Sequence, residues 1–164
     1  MRHIISILMQ NEAGALNRVA SMFSSRGYNI ESLSVAPTEN PLVSRLTMVT
    51  TGSEEVIDQI NKQLFKLIDV VMITDMTMNE HFERELLLMK VKLDDGANVA
   101  DIVSAAGASV LDRNPESFTV QLTGTGVQID DFMETLGANS QILAVVRSGS
   151  MAIGRGANIM SAGL

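Results

Sequence analysis

The sequence predicts an α+β protein whose two halves each run β-α-β-β-α-β, and three observations carry this prediction. Four segments repeat apolar residues at helical spacing, and eight short segments alternate or run apolar as strands do. The two kinds of segment follow one another in the same order twice. A shift of 72 residues superposes Thr47 on Thr119, and Thr51 and Gly52 on Thr123 and Gly124. Two like domains are therefore favoured over one large mixed sheet.

Each helical segment carries one apolar stripe that needs a sheet surface to cover it. The first stripe is Leu16, Val19, Ala20 and Phe23; the others lie in residues 57–67, 99–106 and 129–136. The strand segments are residues 4–9, 28–36, 44–50, 70–74, 87–93, 110–112, 118–122 and 142–146. Two helices on one face of an antiparallel sheet make each half a ferredoxin-like unit.

The expected domains are residues 1–77 and 83–153, separated by a polar stretch and followed by a tail at residues 154–164. Only about ten residues separate Asp95 from the break at Gly107, which is close to the shortest useful helix. The tail is predicted from its glycines, since the chain is rich in glycine from Gly149 onward.

The composition of the chain excludes several classes of function. Apolar residues make up 46% of the chain, enough for packed cores, while aromatic residues make up 4%. The formal net charge is −7 and no block of Lys or Arg occurs, which argues against nucleic acid and anionic membranes as partners. Cysteine is absent, which excludes disulfides and thiolate chemistry. No secretory signal or spanning segment is recognisable, so a cytoplasmic protein is expected.

Searches for catalytic and metal motifs give no candidate. His3 and His81 are the only histidines and lack second ligands at metal spacing, so no metal site is predicted. Gly124 and Gly126 lie between a strand and a helix, but the third glycine of a dinucleotide loop is missing. The acidic pairs at residues 94–95 and 130–131 are explained by helix starts. No catalytic residues are predicted.

One segment, residues 10–18, suits ligand binding. Gly14 lies where the chain must turn sharply from the first strand into the first helix, and Ala13 and Ala15 leave the backbone accessible. The free N–H groups of the first helical turn then suit a carboxylate. Asn11 offers an amide that caps the helix or contacts a ligand. On these residues alone, a capped turn is favoured over a ligand site.

Several segments of the chain belong to one recognisable pattern. The most specific segment is residues 26–38 (RGYNIESLSVAPT), and the others are residues 2–8 (RHIISIL), 11–16 (NEAGAL), 44–47 (SRLT), 66–70 (KLIDV) and 147–149 (RSG). Together they resemble the small regulatory subunit of acetohydroxyacid synthase (acetolactate synthase), and the resemblance covers nearly the whole chain. The turn alone would match many ACT domains, which are small ferredoxin-like modules that sense amino acids.

The resemblance implies an N-terminal ACT domain, a second ferredoxin-like domain and a role in branched-chain amino acid biosynthesis. The chain would form a homodimer through its ACT domains, activate a large catalytic subunit and confer feedback inhibition by valine. Valine would lie between the paired ACT domains, at Asn11, Gly14, Ala15 and Leu16 of one chain and Asn29 and Ile30 of the other. Thiamine diphosphate, Mg²⁺ and FAD would belong to the catalytic subunit, and no cofactor to this chain.

The residue chemistry agrees with that site, although each residue also has a structural explanation. Asn11 and Asn29 supply amides, while Leu16 and Ile30 supply apolar walls and are expected to be core residues that also border the pocket. One departure from the family is that the stretch from Asp94 to Val110 is short. Two other functions stay open: a stand-alone amino-acid sensor without an enzyme partner, and an enzyme in its own right, which the motif searches disfavour.

Overall fold

The structure, a computed structural model, describes residues 1–92, 99–157 and 160 of the 164-residue chain. Its elements in chain order are β1 (Arg2–Gln10), α1 (Ala15–Ser25), β2 (Ile30–Pro37), β3 (Val43–Thr51), α2 (Glu54–Leu64), β4 (Val70–Asp75), β5 (His81–Lys92), α3 (Val99–Ala105), β6 (Ser109–Arg113), β7 (Ser117–Gly124), α4 (Gly126–Asn139), β8 (Ile142–Arg147) and β9 (Met151–Gly154). Of the described residues, those up to Phe82 and those from Ser150 form a first compact unit, and those from Glu83 to Gly149 form a second. The predicted α+β class with two βαββαβ halves is confirmed.

The first unit contains an antiparallel sheet in the order β2-β3-β1-β4. Its centre is the pairing of β1 with β3, which runs from Arg2 opposite Thr51 to Gln10 opposite Val43. The sheet face that α1 and α2 cover holds an aliphatic and methionine-rich core: Ile5, Ile7, Met9, Ala15, Val19, Met22, Phe23, Leu46, Met48, Ile57, Ile60 and Leu64. Burial of these apolar side chains is the main favourable contribution to folding of this unit.

The buried stripe of α1 begins at Ala15, one residue earlier than the sequence predicted. Ala15 is buried, whereas Leu16 is 40% exposed. The helix starts at Ala15, and from there the buried positions continue through Val19, Met22 and Phe23 at helical spacing. Leu16 is therefore not a core residue of the first unit.

The opposite face of the first sheet is partly covered by the end of the chain. Ala152 in β9 packs with Ile4, Val49 and Met76, all of which are buried. The Arg45 guanidinium in β3 donates a hydrogen bond to the Met160 carbonyl oxygen. The structure thus places residues 150–157 with the first unit, where the sequence suggested the end of the second domain and a loose tail.

The second unit contains an antiparallel sheet in the order β6-β7-β5-β8. Its core consists of buried apolar residues, two of them aromatic: Leu87, Met89, Val91, Val99, Val103, Phe118, Val120, Leu122, Ile129, Phe132 and Leu136. All five residues of β6 are exposed, and α3 has only seven residues. Asp94 and Asp95, and the first part of the short stretch to Val110, lie outside the described residues.

Candidate functional site

The turn between β1 and α1 depends on a residue without a side chain. Gly14 is the residue before α1 and has a φ of 87°, a left-handed conformation that glycine adopts without steric cost. It has no side chain with which to cap the helix, and the first turn of α1 carries no acidic residue. The Ala15 N–H donates to the Glu12 carbonyl oxygen at 3.2 Å. The positive end of the helix is therefore left without a capping oxygen or carboxylate from its own first residues.

Arg18 lies directly beside this turn. A Cβ placed on Gly14 would lie 2.9 Å from Nη1 of Arg18, so even an alanine would press on the guanidinium. Arg18 forms a two-pronged ion pair with Asp69, through Nε to Oδ2 and through Nη2 to Oδ1 at 2.9 Å. Asp69 is buried, and the hydrogen bond from Arg18 lowers the pKa of its carboxyl group. A cation thus stands next to the backbone donors of the turn.

Two further loops are hydrogen-bonded to the same end of β1. The Gln10 N–H donates to the Asp69 carbonyl oxygen at 2.8 Å, and the Asn11 N–H donates to the Leu42 carbonyl oxygen at 2.8 Å. The Asn11 side chain donates from Nδ2 to the Pro41 carbonyl oxygen at 3.0 Å. It therefore holds the β2–β3 hairpin, and in this single chain it does not cap α1. The β1–α1 turn, the hairpin and the α2–β4 connection form one bonded group of loops.

Asn29 and Ile30 lie far from this turn within one chain. They follow the end of α1, and a helix of eleven residues is roughly 16 Å long. The Asn29 carbonyl oxygen accepts a hydrogen bond from Oγ1 of Thr50 at 2.5 Å, and Asn29 itself is exposed. Ile30 is half-buried against the first core. Within one chain, the structure brings together Asn11 to Leu16 but not Asn29 and Ile30 with them.

The edge position of β2 offers a way to bring the two groups together. β2 is an edge strand, and it runs from the Asn29 end of the unit to the Gly14 end. If two copies paired their β2 strands antiparallel about a twofold axis, the start of each β2 would face the end of the other. Asn29 and Ile30 of one copy would then lie near Gly14 of the second copy.

Arg18 and Asp69 are the residues of this region that the motif search missed. They are 51 residues apart, and nothing in their spacing links them. Only Arg18 could have been found from the sequence, because it lies four residues, or about one helical turn, after Gly14 and so on the same side of the helix start. Asp69 immediately precedes an apolar strand segment, where a lone acid suggests only a loop.

The remaining candidates support no catalytic or metal centre. Among the described residues no group of three or more His, Asp or Glu side chains could hold a metal ion. His3 is a buried strand residue whose Nδ1 lies 3.2 Å from Oδ2 of Asp75. Within the described ranges, no helix is long and apolar enough to cross a membrane.

Comparisons with known proteins match both halves of the chain. Residues 5–72 match the family model described as AHAS small subunit-like ACT domain, and residues 84–156 match that of the small subunit of acetolactate synthase. The acetolactate synthase isozyme 3 small subunit of Escherichia coli is 43% identical over 162 residues, covering 98% of this chain and 99% of that protein. The probable acetolactate synthase small subunit of Methanothermobacter thermautotrophicus is 37% identical, covering 96% and 95%.

A solved structure agrees with these relatives. The crystal structure of the acetolactate synthase small subunit from Thermotoga maritima superposes with a TM-score of 0.85 at 31% identity, covering 94% of this chain and 98% of that one. Fold and turn together define a protein built on ACT-type ferredoxin-like units. The chain belongs to the family of acetolactate synthase small subunits. This confirms the resemblance, and the naming of the relatives as small subunits agrees with the expectation of a non-catalytic subunit.

Proposed function

We propose that this chain is the regulatory subunit of an acetolactate synthase in branched-chain amino acid synthesis. It activates a large catalytic subunit and makes the enzyme sensitive to feedback inhibition by valine. Valine binds between the first units of a homodimer, at Asn11, Gly14, Ala15 and Leu16 of one copy and Asn29 and Ile30 of the other. Family membership supports the regulatory role.

The observation that carries the dimeric site is the separation of the two residue groups. Gly14 and Asn29 lie at opposite ends of α1, so one chain cannot surround a small ligand with both. The edge strand β2 provides a surface whose backbone groups can pair with those of a second copy. Leu16 is 40% exposed, which leaves it available to a ligand or a second chain.

The chemistry of these residues suits a small aliphatic amino acid. A carboxylate is favoured at the start of α1, where backbone N–H groups and the Arg18 guanidinium add positive potential. The amide groups of Asn11 and Asn29 can accept from an ammonium group. Leu16 and Ile30 offer apolar contacts for an isopropyl group. A pocket of this kind distinguishes valine from leucine or isoleucine by only about 1–3 kcal/mol per methylene.

The chemical step is assigned to the catalytic subunit. Thiamine diphosphate, Mg²⁺ and FAD are expected there, and the present chain is expected to work without a cofactor of its own in the cytoplasm. Its contribution is a change in the equilibrium between active and inhibited forms of the holoenzyme, which requires that valine bind the inhibited form more tightly.

Thermal unfolding with added amino acids tests the ligand. Valine at a concentration about a hundredfold above its Kd should stabilise the protein by about 2.7 kcal/mol and raise the Tm, because it binds only the folded dimer. Lysine at the same concentration is the control, since its cationic side chain does not fit the apolar walls. Equal Tm values with and without millimolar valine would count against sensing.

Replacement of Gly14 by Asp tests the site in the holoenzyme. The new side chain would place a Cβ against Arg18 and a carboxylate where the ligand carboxylate is expected, so valine inhibition should disappear while activation remains. Gly107→Asp is the matched control, because Gly107 has a φ of 71° and a Cβ there meets nothing within 4 Å. Normal valine inhibition of the Gly14 variant in acetolactate assays would refute the proposed position.

A further inference from the structure

Three large apolar side chains are exposed at one end of the first unit. Leu42 is 74% exposed, Phe65 is 63% exposed and Ile68 is 87% exposed. Leu42 lies at the tip of the β2–β3 hairpin, while Phe65 and Ile68 lie in the connection from α2 to β4. These three residues are called the loop-end surface below.

The loop-end surface is bonded to the β1–α1 turn. Leu42 accepts the hydrogen bond from the Asn11 N–H, and Asp69, which follows Ile68, accepts that from the Gln10 N–H. The Asp69 side chain also holds Arg18, whose guanidinium lies beside Gly14. Both apolar loops are therefore fixed by residues of the proposed effector site or by their immediate neighbours.

A second copy of this chain does not account for the loop-end surface. Phe65 and Ile68 immediately precede β4, which is the edge of the sheet opposite β2. With neighbouring strands about 4.8 Å apart, β4 lies roughly 14 Å from β2. A copy paired through β2 would leave Phe65 and Ile68 uncovered.

We infer that the loop-end surface of the first unit is the docking surface for the catalytic subunit. This rests on the proposed function, which supplies the partner. Exposed Leu, Ile and Phe side chains bordered by exposed charged residues, such as Lys66 and Glu12, match the apolar centre and polar rim of protein interfaces. The complementary surface on the catalytic subunit is apolar.

The position of this surface also explains how an effector reaches the catalytic subunit. A ligand carboxylate at the Gly14 turn attracts the Arg18 guanidinium, which is shared with Asp69. Ile68 immediately precedes Asp69 in the chain. The ion pair between Arg18 and Asp69 therefore joins the proposed effector turn to the proposed docking surface.

Serine substitutions test the docking surface by titration of the catalytic subunit. Ile68→Ser and Phe65→Ser should each raise the concentration of this subunit needed for half-maximal activation by about tenfold, since about 1.4 kcal/mol of contact energy is lost. Both side chains are exposed, so the fold should survive, and the Tm increase with valine should be retained.

Met78→Ser is the matched control. Met78 is 81% exposed and lies beyond β4, at the opposite end of the same unit. The concentration of the Met78→Ser variant needed for half-maximal activation should equal that of the unmodified protein. An unchanged value for both Ile68→Ser and Phe65→Ser, or an equal increase for Met78→Ser, would overturn the docking surface alone. Failure of the unmodified protein to activate any catalytic subunit would overturn the proposed function as well.

Discussion

The two regions that differ most in how a helix starts are the open start of α1 and the capped starts of α2 and α4, the second helix of each unit. Thr125 caps α4: its side chain accepts from the Gln128 N–H at 3.3 Å, and Oε1 of Gln128 accepts from the Thr125 N–H at 2.9 Å. Ser53 caps α2 in the same way, since its side chain accepts from the Val56 N–H at 3.4 Å. By contrast, α1 begins after Gly14, which offers no side chain. A helix start satisfied by its own side chains has only a structural role, whereas an open start can accept a ligand carboxylate.

The units also differ in how they hold a buried carboxylate. Asp69 in the first unit has Arg18 as its partner, and that arginine is 46% exposed beside the turn. Glu85 in the second unit is held by Arg147, through Nε to Oε1 at 2.7 Å and Nη2 to Oε2 at 3.0 Å, and Arg147 also bonds Asp130. Hydrogen bonds to these two carboxylates raise the pKa of the Arg147 guanidinium above its ordinary value, and the bond to Glu85 contributes more than the bond to Asp130. The first pair borders the proposed effector site, while the second links β8 to β5 and α4.

The largest effect is expected from breaking the ion pair of the second unit. Arg147→Ala should lower the free energy of unfolding by about 3 kcal/mol, because the buried Glu85 is left without its partner. Urea unfolding at pH 7 measures this change. Arg155→Ala is the control, since its contact to Glu80 is 3.9 Å long and both side chains are exposed, and it should cost less than about 1 kcal/mol. Equal losses for the two variants would contradict a structural role for the Glu85 pair.

A smaller effect is expected from opening the capped helix. Thr125→Ala should cost about 1 kcal/mol in the free energy of unfolding, because the Gln128 N–H loses its acceptor. Thr125→Ser retains the hydroxyl group and should recover most of the loss. Neither variant should change the Tm increase with valine. A change in that increase would mean that the closed helix start is not confined to a structural role.

Asp69→Asn should have the smallest effect on the free energy of unfolding at neutral pH. Its effect is informative because it should depend on pH. The folded-state pKa of Asp69 is lowered by Arg18 relative to the unfolded value of about 3.9. The stabilisation by the carboxylate is therefore complete above about pH 5 and is lost as the pH falls through the folded-state pKa. The difference in unfolding free energy between the parent protein and Asp69→Asn should be constant from pH 5 to 8 and shrink below pH 4.

Urea unfolding across this range measures the effect, with Asp58→Asn as the control. Asp58 is an exposed residue of α2, and its replacement should give a small difference at every pH. A constant difference for Asp69→Asn down to pH 2 would show that the pair with Arg18 does not favour the carboxylate.

Sequence patterns predicted the elements well because each helix and strand shows its own period. The stripe of α2 and the alternation around Met89 follow directly from burial on one face. The Arg18–Asp69 pair could not be predicted, since contacts across 51 residues depend on the completed fold. The role of Asn11 was left open between a cap and a ligand contact, and in this chain it holds the hairpin through Pro41. The positions of Asn29 and Ile30 in a pocket depend on a second copy and stay a prediction.

Because residues 150–157 belong to the first unit, that unit is complete only after the whole of the second unit has been synthesised. Ile4, Val49 and Met76 are synthesised early, but Ala152, which covers them, leaves the ribosome about 70 residues after the rest of that unit. At roughly 5–20 residues per second, this delay lasts several seconds. During that time Ile4, Val49 and Met76 lack their contact with Ala152, and a fragment that ends near Met78 never acquires it.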